Sequence, residues 1–236
     1  MDDLLQLEER LGLDINDFGL LATALTHRSY LNEHPDVTED NERLEYLGDA
    51  VIDLIVADYL FKNHPKMAEG EMTALRSALV RAETLAEFAQ EMGVDKVLRL
   101  GSGEIDNGGR HRIPTLCAAF EAVMGACYLD VGFAKTQAFL IELIGPKLTF
   151  IMENALHKDP RSEFQIWAQA QYGHTPRYDV VEVSGPDHDR RFTVQVTVDG
   201  KAWGQGVGRS KQNAAHEAAN AAMQRIEELP EAEKAA

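Results

Sequence analysis

Asn41-Glu42-Arg43-Leu44-Glu45-Tyr46-Leu47-Gly48-Asp49-Ala50-Val51-Ile52-Asp53-Leu54 decides how this chain is read. Apolar residues at Leu44, Leu47, Val51, Leu54 and Ile55 recur at helical spacing and predict an amphipathic helix. Thr38 or Asp40 is its N-cap, and acids in its first turn suit the positive end of the helix dipole. Glu45 and Asp49 stand four residues apart on one face, where like charges repel by roughly a few tenths of a kcal/mol. Leu44, Gly48 and Ile52 flank them, a nearly buried edge. Two carboxylates there, beside a glycine that opens space, suit a hard divalent cation. A solvated acidic helix start is the alternative.

Ahead of this stretch, residues 3–11 predict a short helix and Asp17–Leu25 a second. Thr26-His27-Arg28-Ser29-Tyr30 ends it, with His27 and Ser29 read as local caps rather than catalysts. The central helix runs on to about Asn63 and is stopped by His64-Pro65. Glu69-Gly70-Glu71 opens the next helix; a break near Arg81 leads to Thr84–Met92, closed by Gly93. The run Gly101-Ser102-Gly103-Glu104 to Arg110 is rich in glycine. No strand precedes it and no Gly-Lys-Ser/Thr follows, so it reads as a mobile connection rather than a phosphate loop.

A further helix begins near Pro114. Its stripe of Leu116, Phe120, Val123, Met124 and Tyr128 has Glu121 embedded in it. Unpaired burial of that carboxylate costs several kcal/mol (about 2–7 even for a neutral polar group), so it needs a partner. A metal shared with Glu45 and Asp49 would serve, and so would an ion pair with Arg81. Lys135–Asn154 predicts the last helix of this part.

The run from Asn41 to Val51 closely resembles the signature of the ribonuclease III family, double-strand-specific RNA endonucleases, and the family's layout covers roughly residues 5–227. The resemblance implies a Mg²⁺ site, with Mn²⁺ able to substitute, held by Glu45, Asp49 and Glu121. It implies Glu42 and Glu69 near the cleavage site, although Glu69 alone reads as a helix-start acid. It also implies 5′-phosphate products, processing of rRNA and mRNA precursors, and a homodimer that cuts both strands. Tyr46 is then a dimer contact; ordinary core is its other reading. One position departs from the pattern. The family has alanine-aspartate, two variable residues, then glutamate-alanine; here the run is Cys117-Ala118-Ala119-Phe120-Glu121-Ala122. Ala118 stands where a metal-ligand aspartate is expected.

Residues after about 156 change character. Arg161–Tyr172 predicts a helix. Tyr178–Val183 and Phe192–Val198 alternate with period two, Asp199-Gly200 is a two-residue hairpin turn, and Lys201–Gly208 makes a third strand. Ser210 caps an alanine-rich helix to about Glu228. This order resembles a double-stranded-RNA-binding domain, marked by Asp159-Pro160-Arg161-Ser162, Gly185-Pro186-Asp187-His188 with Phe192, and Gly206-Val207-Gly208-Arg209-Ser210-Lys211. Such domains read duplex shape across two minor grooves and the intervening phosphates. The resemblance places Gln165 and His188 at the grooves and Arg209, Ser210 and Lys211 at phosphates. Gln212 and Asn213 follow Lys211 where the family has further basic residues.

Composition sets the bounds. The net charge of −16 argues against a general polyanion-binding surface, and residues 1–158 hold 27 acids against 14 bases, whereas residues 159–229 hold 10 against 8. Val51–Tyr59 is read as the longest apolar run and is too short to span a bilayer. Cys117 and Cys127 share one helix about 15 Å apart, too far for a disulfide, which suits a reduced, cytoplasmic protein. The expectation is an all-α endonuclease domain over 1–155 and a small α+β (α-β-β-β-α) domain over 160–228. Two alternatives stand beside the enzyme: a duplex-RNA binder with cleavage weakened or lost through Ala118, and a nuclease-like fold used for assembly.

Overall fold

The computed structural model describes residues 2–154, 159–186 and 189–229. The chain divides into two compact units, Met1–His157 and Lys158–Ala236.

The first unit is helical: α1 Asp2–Leu11, α2 Phe18–Ala24, α3 Arg28–Leu31, α4 Glu42–Asn63, α5 Glu69–Val80, α6 Ala82–Glu91, α7 Val94–Val97, α8 Ser102–Asp106, α9 Ile113–Val131 and α10 Phe133–Glu153. Local chemistry sets the boundaries. The Asp17 side chain accepts the Leu20 N–H to start α2, and His27 Nδ1 accepts the Ser29 N–H to start α3. The N-cap of α4 is Asn41, one residue after Asp40 and three after Thr38; Asp40 still contributes, its Oδ1 accepting the Glu42 N–H at 3.1 Å. Arg81 caps both α5 and α6 with an extended backbone, which makes the break between them.

The segment from Gly101 to Arg110 holds regular elements where the sequence predicts an irregular connection. It forms α8 and a 3₁₀ turn at Gly109–His111. Glu33 accepts from both the Ser102 N–H and hydroxyl, Ser29 Oγ accepts the Gly101 N–H, and Arg110 donates to the carbonyls of Asp95 and Leu98. Those partners are distant in sequence, so no local reading of the glycines could find them.

At the centre of the unit α9 packs against α4 and α6 and is buried nearly all round, from Leu116 through Ala119, Phe120 and Val123 to Cys127. Fully burying a side chain such as Phe120 contributes about 1.5–3 kcal/mol. By length and composition α9, not Val51–Tyr59, is the stretch apolar enough to cross a bilayer, and here it is the core helix of the unit. Both cysteines are free thiols.

The second unit has α11 Pro160–Tyr172, β1 Arg177–Ser184, β2 Arg191–Val198, β3 Lys201–Gly208 and α12 Lys211–Glu227. The strands form an antiparallel sheet in the order β1-β2-β3. Asp199 at φ +50° and Gly200 at φ +73° turn the β2–β3 hairpin. Phe164, Ala168, Val194, Val196, Val198 and Trp203 form its core with the alanine face of α12. Alternate glycines Gly204, Gly206 and Gly208 let the α12 backbone lie directly on β3; a Cβ at Gly206 would stand 2.2 Å from the Ala218 nitrogen.

Candidate active site and nucleic-acid interface

Glycine sets where the carboxylates meet. A Cβ at Gly48 would fall 1.7 Å from the Glu121 carbonyl oxygen, and one at Gly125 would fall 2.3 Å from that of Leu44. Gly48 therefore does not open room for an ion: the backbone of α9 fills that room. The contact places Glu121 beside the α4 face that bears Glu45 and Asp49, and the three line one open cavity of about 390 Å³ with Glu42 and Tyr46.

Burial is the main cause that pushes the Glu121 carboxyl up to about 7; the Asp49 and Glu45 charges add to it, and a hydrogen bond from Cys117 opposes it. Glu45 is also raised, by burial first and then by Glu42, Asp49 and Asp40. The ion pair between Glu121 and Arg81 is not formed: Arg81 Nε donates to Thr84 Oγ1 instead. The recorded partner of Glu121 is the Cys117 thiol, whose Sγ stands 3.4 Å from Oε1. Burial, followed by the Glu121 charge, pushes that thiol up to about 12. The signal for this contact in the sequence is the place of Cys117 four residues before Glu121, on the same helix face.

The donor set fits a hard cation. It is all carboxylate oxygen, and one carboxyl lies in apolar surroundings with no cationic partner recorded. Among the described residues no three His, Cys, Asp or Glu side chains close around one point. An open set of this kind leaves coordination positions to water. Ala118, half-buried one turn before Glu121, adds no oxygen.

Glu69 is not brought to this cavity. Thr73 Oγ1 donates to its Oε1 at 3.1 Å, and it lines a separate groove with Leu54, Phe61, Met72 and Arg76. Tyr46 is 83% exposed, which excludes the core reading. With Leu54 and Phe61, 58% and 70% exposed, it forms an apolar stripe on α4 beside the carboxylates.

In the second unit Gln165 is exposed on α11. Arg209, Ser210 and Lys211 are exposed at the start of α12, where the Ser210 side chain accepts the Asn213 N–H. Arg209 Nε lies 3.9 Å from Asp189 Oδ1, so the β1–β2 loop approaches this helix start. His188 lies outside the described residues.

The first unit thus carries an open cavity lined by three carboxylates at a glycine-mediated helix contact, and the chain also contains an α-β-β-β-α unit. The sequence matches the Ribonuclease-III-like family over residues 17–148 and the double-stranded RNA binding motif over residues 160–226. The chain belongs to the ribonuclease III family. Proteins named Ribonuclease 3 from Natranaerobius thermophilus and Geobacter sulfurreducens are 40% and 43% identical to it. Those alignments cover 95% and 94% of this chain and 96% and 90% of the relatives. The solved nuclease domain of ribonuclease III from Campylobacter jejuni is similar at 37% identity and a TM-score of 0.57, over 62% of this chain and 97% of that one. A second structure of that domain, described as showing flexibility in a region involved in dimer formation, is 38% identical with a TM-score of 0.55, over 59% of this chain and 94% of that one.

Proposed function

We propose that this ribonuclease III family member cleaves double-stranded RNA at a divalent-metal site held by Glu45, Asp49 and Glu121. The observation that carries the site is their convergence on one cavity, with the Glu121 carboxyl raised to about 7 by burial and by the other two acids. The metal is Mg²⁺, with Mn²⁺ as its substitute; when bound it lowers the pKa of a water and neutralises charge on the phosphate. Glu45 and Asp49 hold the solvent side of the site and Glu121 its buried side. Glu42, on the rim, orders water and the approaching strand. Glu69 lies in another groove of the same chain and contributes to the cleavage centre through assembly of two copies.

We assign cleavage to residues 1–155 and duplex binding to residues 160–228. Gln165 and His188 read successive minor grooves. Arg209, Ser210 and Lys211, with the N-terminus of α12, hold the phosphates between them. The α4 stripe of Tyr46, Leu54 and Phe61 is the contact of a homodimer, in which two cavities act on opposite strands. Products carry 5′-phosphates, substrates are structured precursors of rRNA and mRNA, and the setting is the cytoplasm, where Cys117 and Cys127 stay reduced.

The test is cleavage of a long RNA duplex in Mg²⁺. The parent cuts and Glu121→Gln does not, although Glu121→Gln still binds the duplex when Ca²⁺ replaces Mg²⁺. Cutting by Glu121→Gln at the parent's rate would overturn the site. Near-full-length relatives named Ribonuclease 3 give the binding-only reading of Ala118 no support.

A further inference from the structure

Cys117 and Glu121 lie one turn apart on α9, on the side that faces α4. Glu121 is half-buried, and its neighbours along the helix, Phe120, Ala122, Val123 and Met124, are all buried apolar residues. Facing it from α4 are Glu45, Asp49 and the Gly48 backbone, and none of these can donate a side-chain hydrogen bond as an ion. The Cys117 S–H aimed at Oε1 therefore has no substitute among those neighbours. The family pattern has alanine-aspartate where this chain has Cys117-Ala118, so a carboxylate has been lost and a donor gained at adjacent positions.

We propose that Cys117 is a positioning residue for the metal centre: its thiol holds Glu121 Oε1 and leaves Oε2 aimed into the cavity. It supplies by orientation part of what an aspartate at position 118 would supply by ligation. Groups that orient a metal ligand through its second atom commonly alter metal affinity by about 10–100-fold. A thiol is a weak donor, which puts Cys117 at the lower end of that range.

The inference rests on the metal reading above, and the test separates the two. Mn²⁺ is titrated into the full-length protein and into Cys117→Ala, Cys117→Ser, Glu121→Gln and Cys117→Ala/Ala118→Asp, with free Mn²⁺ counted by electron paramagnetic resonance. Cys117→Ala weakens binding by about tenfold, whereas Cys117→Ser, which keeps an O–H donor on the same Cβ, stays within about threefold. The double variant recovers the parent's affinity through its new carboxylate. In the metal-free protein the infrared S–H stretch of Cys117, with Cys127 as internal reference, moves to higher frequency in Glu121→Gln. An unmoved S–H stretch, or a Cys117→Ala protein that binds Mn²⁺ as tightly as the parent, overturns the role of Cys117. Equal Mn²⁺ binding by the parent and Glu121→Gln overturns the metal assignment and this inference with it.

Discussion

The proposed metal role requires Glu121 to lose its proton in surroundings that favour keeping it. Its carboxyl is raised to about 7 chiefly by burial, against 4.5 for an ordinary glutamate. Between those values the folded protein holds a proton that the unfolded chain has released. Folded stability therefore falls as pH rises through that window and levels off above it. In chelator-treated protein, the melting temperature of the parent should drop relative to Glu121→Gln between about pH 5 and about pH 7, then run parallel to it. The variant is the necessary reference, because Glu45, also raised by burial, contributes in the same direction. A difference that stays constant with pH would show that Glu121 is not shifted. Metal binding needs the ionised carboxylate, so Mn²⁺ affinity should climb through the same interval. Ala118→Asp is the second prediction at this scale. Its Cβ lies one turn before Glu121 on the same face, so a carboxylate there reaches the same ion. It should tighten Mg²⁺ binding and raise duplex cleavage about tenfold, about 1.4 kcal/mol of transition-state stabilisation. No gain in cleavage, together with a lower melting temperature, would mean that the acid only adds repulsion. The Glu45–Asp49 pair, and Glu121 as a carboxylate in need of a partner, were legible from spacing and apolar neighbours, whereas the grouping of all three was implied by the family resemblance. The thiol beside Glu121 was not read, because a cysteine's partner depends on which face the helix turns inward.

Gly48 and Gly125 do for the first unit what Gly204, Gly206 and Gly208 do for the second: they let two backbones touch. The helices and strands themselves follow from local signals, such as Pro114 in the first turn of α9, Ser210 at the cap of α12 and Asp199-Gly200 at the hairpin. The contacts between elements do not follow from such signals. Gly48 reads in sequence as open space beside two acids, and only the approach of α9 shows that Glu121's carbonyl occupies it. The 101–110 segment was misread for the same reason, since Glu33, Ser29 and the Asp95 and Leu98 carbonyls order it from a distance. Gly48→Ala should push α4 from α9 and destabilise the first unit by about 1–3 kcal/mol. Metal affinity should fall as well, because Glu45 and Asp49 ride on the displaced helix. The comparison is Gly206→Ala, which meets the α12 backbone and belongs to the other unit. Trp167 and Trp203, the two tryptophans of the chain, meet edge to face in the second unit with centroids 4.6 Å apart. Tryptophan fluorescence during urea unfolding should therefore register Gly206→Ala as an earlier midpoint and Gly48→Ala as none. A fluorescence midpoint that moved equally in both variants would show that the units unfold as one.

Over the whole molecule the charge is divided unequally, with a net of −13 on residues 1–158 and −2 on residues 159–229. The cleavage unit repels a polyanion that the other unit must hold, so affinity rests on few cations. With Ca²⁺ in place of Mg²⁺, duplex RNA of about 16 base pairs should bind with an affinity that falls as salt rises, and Lys211→Ala should flatten the log–log slope by about 0.7–0.9. An unchanged slope would remove Lys211 from the phosphate contacts. Assembly is the other property that belongs to this scale. Tyr46, Leu54 and Phe61 expose apolar side chains on one face of α4, with Phe61 70% exposed, and this face is the homodimer contact proposed above. Residues two turns apart along α4 share that stripe, so one polar substitution should weaken the contact and two should abolish it. Sedimentation equilibrium of the full chain should give about twice 26.2 kDa, and a fragment ending at residue 157 should also be dimeric. Tyr46→Asp/Phe61→Asp should give 26.2 kDa with the helical far-ultraviolet signal intact, because both side chains lie outside the core. That monomer should still bind duplex RNA in Ca²⁺ through Lys211 and its neighbours, yet fail to release paired cuts on opposite strands. A double variant that stays dimeric would place the interface elsewhere on the first unit, and a monomer that still makes paired cuts would show that a single cavity cuts both strands.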